Sequence, residues 1–467
     1  VSAPVAEQLA AFADAVRRDG LDDTRAARMT GHIRDIVGIC IAAGAEWGDD
    51  PVTRVVGGWG GPGAAGAVGR ALRAPAPHAA LVTGTLAHAI DFDDTHLPSV
   101  LHPSASVVPA ALAAGEAAGA EGALLLAAVA VGDEVCCRLG MAGYDAALKN
   151  SIFFEHGLHA TAICGAVGAA AAAALVTGLD AEQVAHAMSI ATSMGAGILE
   201  ANRTGGMVKR VHCGWAAHAG VAAAELAAAG LTGAPTAFEG RFGFLHAYCR
   251  EAADVDAVTD GLRERWEIDT LHVKPYPSNH FTHAVIDAAL MAREAGIAPG
   301  DVLGVQVGLA GPVLRTVAEP PEVKAAPPTG YAAKFSAPFT FALALLGGGG
   351  LGLSLGDFTD ERAADPALRA LAGRVRCVRD DRCDAIFPHH FPAVVTITTA
   401  SGEHELAVLE NRGSPQRPLD AAELSLKFRD CAGGVLPAAQ VDELDAVLAD
   451  LAGLQDLGTI ARLASPA

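Results

Sequence analysis

The sequence is short of charge, and shorter still of positive charge. Only 18% of its 467 residues are charged, and 33 Lys and Arg stand against 53 Asp and Glu, a formal net charge of −20. A nucleic-acid surface needs a basic face, which this composition excludes. Cys-x-x-Cys pairs are also missing. The nine cysteines, at 40, 136, 137, 164, 213, 249, 377, 383 and 431, are odd in number, with two adjacent. They read as reduced, buried thiols of a cytoplasmic protein and argue against an iron–sulfur cluster.

There is no GxxxxGK[ST] phosphate loop, and the glycine run Gly347–Gly356 follows a helical pattern rather than a strand, so it reads as a turn. Long lipid-compatible runs are absent as well. The apolar stretches Gly122–Gly132, Thr161–Gly178 and Phe339–Leu355 are short or broken by Gly, and rich in Ala rather than Leu. They are expected to be core helices, with no membrane partner. The opening VSAPVAEQLAAFADAVRRDG has the pattern of a charged amphipathic helix, not of a signal peptide.

What is abundant is small and apolar: hydrophobic residues reach 51%, and Ala dominates the long runs. Ala is the best helix former and lets helices pack closely, so a mostly helical interior is expected. Two helices are predicted within Pro4–Ala43, then a series at Ala105–Gly119, Glu121–Leu139, Ala160–Thr177, Ala181–Met194 and Cys213–Gly230, with Gly195–Met207 as a loop. Near residue 270 the pattern changes. Thr270–Val273, Val302–Ala310, Val375–Arg379, Ala393–Thr399 and Glu405–Leu409 read as strands, mixed with helices at Asn279–Gly296 and Ala332–Leu346. Helices return at Ala421–Ala432 and Ala438–Leu451. The expected fold is mainly α: a large all-helical domain built from residues 1–269 and 411–467, and a smaller α+β lid domain over residues 270–410.

Against this background one stretch stands out. Thr83–Ser106, TGTLAHAIDFDDTHLPSVLHPSAS, gathers His88, Asp91, Asp93, Asp94, His96 and His102 into a few turns of chain. Unpaired ionisable groups are costly in a helical core, so a polar site on a loop between two buried helices is expected. Each residue alone has an ordinary explanation, since Asp and Thr cap helices and a single His is often a satisfied core group. Asp91, Asp93, His96 and His102 also offer metal ligands, but neither HExxH nor a cysteine-containing zinc spacing accompanies them, and no metal is assigned.

Three further segments repeat one feature. His102, His159, Lys209 and Lys274 each stand just before a predicted helix, in HPSAS, GLHATA, VKRVHC and KPYPSNHF. Helix beginnings carry unpaired N–H groups and a partial positive charge, and they bind carboxylates. If the four ends converge, they form a pocket for a small anionic di- or tricarboxylate.

These segments resemble the MmgE/PrpD family, which includes 2-methylcitrate dehydratases, cis-aconitate decarboxylases and iminodisuccinate epimerases. The matching stretches are AHAIDFDDTH with HPSAS, GLHATAICGAVG, KRVHCGWAAHAG, KPYPSNHFTH and KFSAPFTFALAL, in order through residues 80–345. The resemblance implies a homodimer without metal or organic cofactor. It places catalytic roles on Asp91, His102, His159, Lys209 and Lys274, with Thr95, Asn279 and His280 binding substrate. Asn279 departs from the family's decarboxylases, which have histidine there, and so favours dehydration or isomerisation.

The implied chemistry passes through a carbanion beside a carboxylate. Fixed positive charge from Lys209 and Lys274 would stabilise it, while His159 and His102 exchange protons and Asp91 orients an imidazole or acts as base. The leading reading is a lyase or isomerase, foremost a dehydratase of a small polycarboxylate or β-hydroxy acid. The alternatives are a decarboxylase of a cis-aconitate-like acid, an epimerase of an iminodisuccinate-like acid, a metal-dependent hydrolase, and a non-catalytic helical scaffold.

Overall fold

A computed structural model describes residues 3–61, 63–148 and 150–466. The fold is mainly α and separates into two compact units, Val1–Leu271 with Cys431–Ala467, and His272–Asp430.

The first unit is organised around the helix Ala160–Val176, all of whose residues are buried. A helix that is apolar on every side has no solvent face to offer, so it belongs inside a bundle. The helices Ser104–Ala118, Gly122–Met141, Ala181–Ala191 and Val208–Ala228 pack around it. Small residues set the spacing. A β-carbon on Gly168 would lie 2.5 Å from the carbonyl oxygen of Gly132, and one on Gly214 would lie 2.2 Å from that of Leu81. Both distances are far inside van der Waals contact, so backbone meets backbone only because these positions lack side chains.

Both ends of the chain contribute to this unit. Arg34 and Asp445 form a buried ion pair, and the Gly122 N–H donates to the Leu454 carbonyl at 2.7 Å. The unit is not entirely helical, for Ala65–Gly66 pairs with Arg73–Ala74 and Tyr144–Asp145 with Asn150–Ser151 in two-residue ladders. These short pairs close connections that composition reads as coil.

The second unit is α+β. Its four-stranded sheet runs Gly402–Val408, Ala393–Thr399, Val302–Leu309, Val375–Arg379. The first two pairings are antiparallel and the last is parallel, with Val305 opposite both Ile397 and Val375. Val302, Val305, Val307 and Leu309 point into a core shared with the helices His283–Glu294 and Ala337–Leu346, while Leu303 is exposed.

Several boundaries differ from expectation. Residues 411–430 lie in the second unit: the Arg412 N–H donates to Asp287 at 2.7 Å and its guanidinium to the Leu351 carbonyl at 2.8 Å. The helix expected from Asn279 begins as a 3-10 turn, His280–Thr282, with the Asn279 side chain accepting from the Phe281 N–H. Ala332–Leu346 is interrupted where Ser336 caps a new helix at Ala337 with Pro338 in its first turn. The expected loop Gly195–Met207 contains a short helix, Glu200–Thr204. Finally, the Cys213 helix starts at Val208, so Lys209 stands inside its first turn rather than ahead of it.

Candidate active site

The helix Ala76–Ala87 ends at His88, and the chain then turns through a buried loop to the helix Ser104–Ala118. Two residues of this loop, Asp91 and Val100, take positive φ of 60° and 53°. Such backbone costs a non-glycine residue roughly 1–2 kcal/mol, so the surroundings must hold it in place.

The anchors are polar and buried. Asp94 accepts from His32 Nδ1 at 2.9 Å and from the Ser104 hydroxyl at 2.5 Å, while Ser104 also lies 2.9 Å from Asp133. One hydroxyl proton cannot serve two carboxylates. Burial, reinforced by the Asp94 charge, pushes the Asp133 carboxyl well above the usual range, so Asp133 is the protonated member and donates to the Ser104 oxygen. His96 Nδ1 meets the Ser99 hydroxyl at 2.6 Å and closes the turn.

On this scaffold four imidazoles form a row. Ring centroids are 5.4 Å apart for His102 and His88, 5.5 Å for His88 and His159, and 5.0 Å for His159 and His212. The His88 Nδ1–H donates to Asp93 Oδ2 at 2.7 Å, and the same oxygen lies 3.9 Å from His102 Nδ1. His102 Nδ1 is 2.5 Å from the Asp94 carbonyl, which can only accept, so this nitrogen carries a proton and donates it there. At the far end His159 Nδ1 and His212 Nδ1 face each other at 3.0 Å.

Each position follows from a helix. His159 is the residue immediately before the central helix, with its N–H donating to the Gly197 carbonyl at 3.0 Å. His212 stands one turn after Lys209 on Val208–Ala228, and residues three apart share a helix face.

The environment separates the charges of the row. Burial disfavours the charged form of His88, but Cys213 and Asp93 beside it pull harder the other way, and its pKa is held up at about 9. Burial pushes His159 well below the usual imidazole range, assisted by the positive charges of His88 and Lys209. The same causes, in the same order, bring His212 down to about 4. At neutral pH the row therefore holds a charged His88 beside a neutral His159. His88 Nε2 is buried without a hydrogen-bond partner.

The structure thus brings together three residues expected from sequence, His102, His159 and Lys209. It draws in His88 and Asp93 from the Thr83–Ser106 cluster, which had no assigned catalytic role, and adds His212. Thr95 is buried with its hydroxyl 3.4 Å from His102 Nδ1. The carboxylate bonded to His88 is that of Asp93, two residues beyond Asp91, whose left-handed backbone turns the chain between them.

Lys274, Asn279 and His280 belong to the second unit, where Lys274 and His280 are buried and the Asn411 amide donates to His280 Nε2 at 3.3 Å. Among the described residues, no group of three or more His, Cys, Asp or Glu side chains is disposed to hold a metal ion.

Residues 7–255 match the MmgE/PrpD N-terminal domain and residues 276–451 the MmgE/PrpD C-terminal domain. The chain belongs to the MmgE/PrpD family. The imidazole row of this MmgE/PrpD protein lies within the N-terminal match, and Lys274 falls just ahead of the C-terminal one. Its relatives include the cis-aconitate decarboxylase of Homo sapiens, 29% identical over 413 residues that cover 84% of this chain and 80% of the relative. The cis-aconitate decarboxylase of Aspergillus terreus is 26% identical over 420 residues, covering 86% and 84%. The cis-aconitate decarboxylase-like protein oryM of Aspergillus oryzae is 26% identical over 407 residues, covering 83% and 82%.

Proposed function

We propose that this protein is a lyase that removes water from a small polycarboxylate or β-hydroxy acid. The observation that carries the proposal is the side-by-side placement of a neutral and a charged imidazole, His159 and His88, at 5.5 Å between ring centroids. Removal of the α-proton needs a neutral base beside fixed positive charge for the carbanion it leaves, both present in the resting enzyme at one pH.

In this reading His159 Nε2 takes the α-proton, and the C–H electron pair stays on carbon, delocalised into the neighbouring carboxylate. His102, taken in this reading as the imidazolium that holds one proton on Nδ1 and a second on Nε2, gives the Nε2 proton to the hydroxyl as the C–O bond breaks. Water leaves and an alkene forms. Charged His88 and Lys209 stabilise the developing negative charge. On the strength of their motifs Asp91 and Lys274 keep catalytic roles, and Thr95, Asn279 and His280 keep roles in binding the acid. Asn279, in place of a decarboxylase histidine, supports elimination over loss of carbon dioxide.

Decarboxylation of a cis-aconitate-like acid is the second reading, and the names of the relatives favour it. A panel of citrate, methylcitrate, aconitate and related acids, followed by mass spectrometry, separates the two. A product lighter by one water and absorbing as a conjugated alkene supports the proposal. A product lighter by carbon dioxide overturns it in favour of the second reading, and unchanged mass with loss of optical activity points to an epimerase. A cytoplasmic location is proposed from the composition, whose nine cysteines, odd in number and without a Cys-x-x-Cys pair, read as reduced thiols. A homodimer is proposed from the family resemblance, with light scattering of the purified protein as its check.

A further inference from the structure

The contact between His159 and His212 is not needed for a simple base. An isolated imidazole can take a proton with its second nitrogen bonded to a backbone carbonyl or to water. Here the second nitrogen faces another imidazole nitrogen, Nδ1 to Nδ1, at 3.0 Å. Two lone pairs cannot be held at that distance, and neither can two N–H groups, so one ring carries its proton on Nδ1 and the other on Nε2.

The groups around the pair come from several elements. His88 ends the helix Ala76–Ala87, His102 and Asp93 lie on the loop after it, and Lys209 and Cys213 flank His212 on its own helix. The backbone of Gly197 closes the remaining side, accepting from the His159 N–H, and a β-carbon there would stand 3.4 Å from His212 Nδ1. The two cationic neighbours, His88 and Lys209, act against a second positive charge in the pair. Among the described residues no carboxylate is bonded to either ring to pin its tautomer, in contrast to His88 on Asp93.

We propose that His159 and His212 form a two-imidazole proton relay, in which His212 positions and resets the base rather than touching substrate. The inference rests on the lyase reading for its catalytic part, but the pairing stands without it. Before reaction His159 bears its proton on Nδ1 and points the Nε2 lone pair outward, while His212 accepts at Nδ1 and bears its proton on Nε2. When His159 Nε2 takes the substrate proton, its Nδ1 proton crosses the 3.0 Å gap to His212 Nδ1. His212 then releases its Nε2 proton to water at the exposed first turn of its helix, where Met207 and Val208 lie in solvent. One proton enters and one leaves, both rings stay neutral, and their tautomers have exchanged. The reverse transfer restores the starting state.

The test has two arms. In the full-length protein labelled with 15N-histidine, long-range proton–nitrogen correlation spectra at pH 7 read the tautomer of each ring without any substrate. Opposite tautomers for His159 and His212, with a strongly deshielded Nδ1 proton that disappears in H212F, are expected. Two Nε2-protonated rings, or an imidazolium at either position, overturn the relay.

In the second arm, H212F and H212N, each shown by circular dichroism to be folded, are compared with wild type on the acid found by the panel. Both variants are expected to lose roughly tenfold to a hundredfold in kcat, with KM within about twofold and a changed solvent isotope effect. H212N keeps a hydrogen bond to His159 but cannot relay. Wild-type kcat in H212N overturns the relay, as does a loss confined to KM. Failure of every acid to react counts against the lyase reading and leaves the spectroscopic arm to decide the pairing.

Discussion

The His88–Asp93 bond is the most exacting contact in the row, because burial would otherwise discharge the imidazole. A histidine whose folded pKa is raised stabilises the fold fully below its unfolded value near 6.5. That contribution is lost as pH climbs through about 9. D93N should therefore lower the melting temperature most at pH 6 and least above pH 9.5, and should reduce kcat by about a hundredfold. A uniform loss of stability across that range would show that His88 is not charged.

His159 and His212 work in the opposite sense. Their folded pKa values are depressed, so the unfolded chain binds more protons, and stability falls as pH drops below about 6.5, flattening for His212 near 4. Asp133 gives a third signature. A carboxyl with a raised folded pKa costs stability as pH rises above the unfolded value near 3.9. D133N should remove that slope and melt no lower than wild type at pH 7, since the amide can still donate to Ser104. A melting point well below wild type would mean that Asp133 is ionised.

Residue identities along Thr83–Ser106 were informative because ionisable groups are rare in an Ala-rich core. Which carboxylate meets which ring was not legible, since that depends on the backbone at Asp91. Its left-handed conformation delivers Asp93 to His88. His212 escaped notice for a related reason: on a helix face it reads as one more core histidine. The signal was present in its spacing of three from Lys209, which puts both on one side of the helix.

At the scale of elements, the site depends on how close the helices come. Ala160–Val176 carries His159 at its start, and the same helix meets Gly122–Met141 where Gly168 and Gly132 lie backbone to backbone. A β-carbon 2.5 Å from a carbonyl oxygen cannot be accommodated by a rotamer change, so the helices must move apart. G168A is expected to destabilise the protein by about 1–3 kcal/mol, seen as an earlier urea midpoint with unchanged slope. A midpoint equal to wild type would show that the contact is loose. Helix positions followed well from Ala-rich periodicity, whereas their ends did not. Asn279 and Ser336 set starts through side-chain caps that composition alone does not order, and the helix of Lys209 starts at Val208 with no such cap.

For the whole molecule, the mainly helical class was legible from composition, and the α+β character of the second unit from alternating segments such as Val302–Leu309. The return of the chain to the first unit lies twenty residues beyond the expected 410/411 boundary, because Arg412 is tied to Asp287 and Leu351. Hydrogen bonds from one arginine are invisible to a composition shift. Charge has a further consequence at this scale. With a net −20, the protein repels an anionic substrate at long range, and charged His88 and Lys209 offset this locally. Raising ionic strength from low to physiological should increase kcat/KM for a tricarboxylate about twofold or more. A steep decrease would indicate that the local positive field reaches well beyond the site.

The central claim is that a neutral, buried His159 removes a proton from carbon. Solvent-deuterium wash-in at the α-carbon of a bound carboxylic acid, followed by NMR in heavy water, measures that step without waiting for a leaving group. The account predicts exchange with wild-type protein and a loss of at least about a hundredfold in H159Q, with the fold intact. Turnover of the acid without any deuterium entering that carbon, or exchange at the wild-type rate in H159Q, would contradict it.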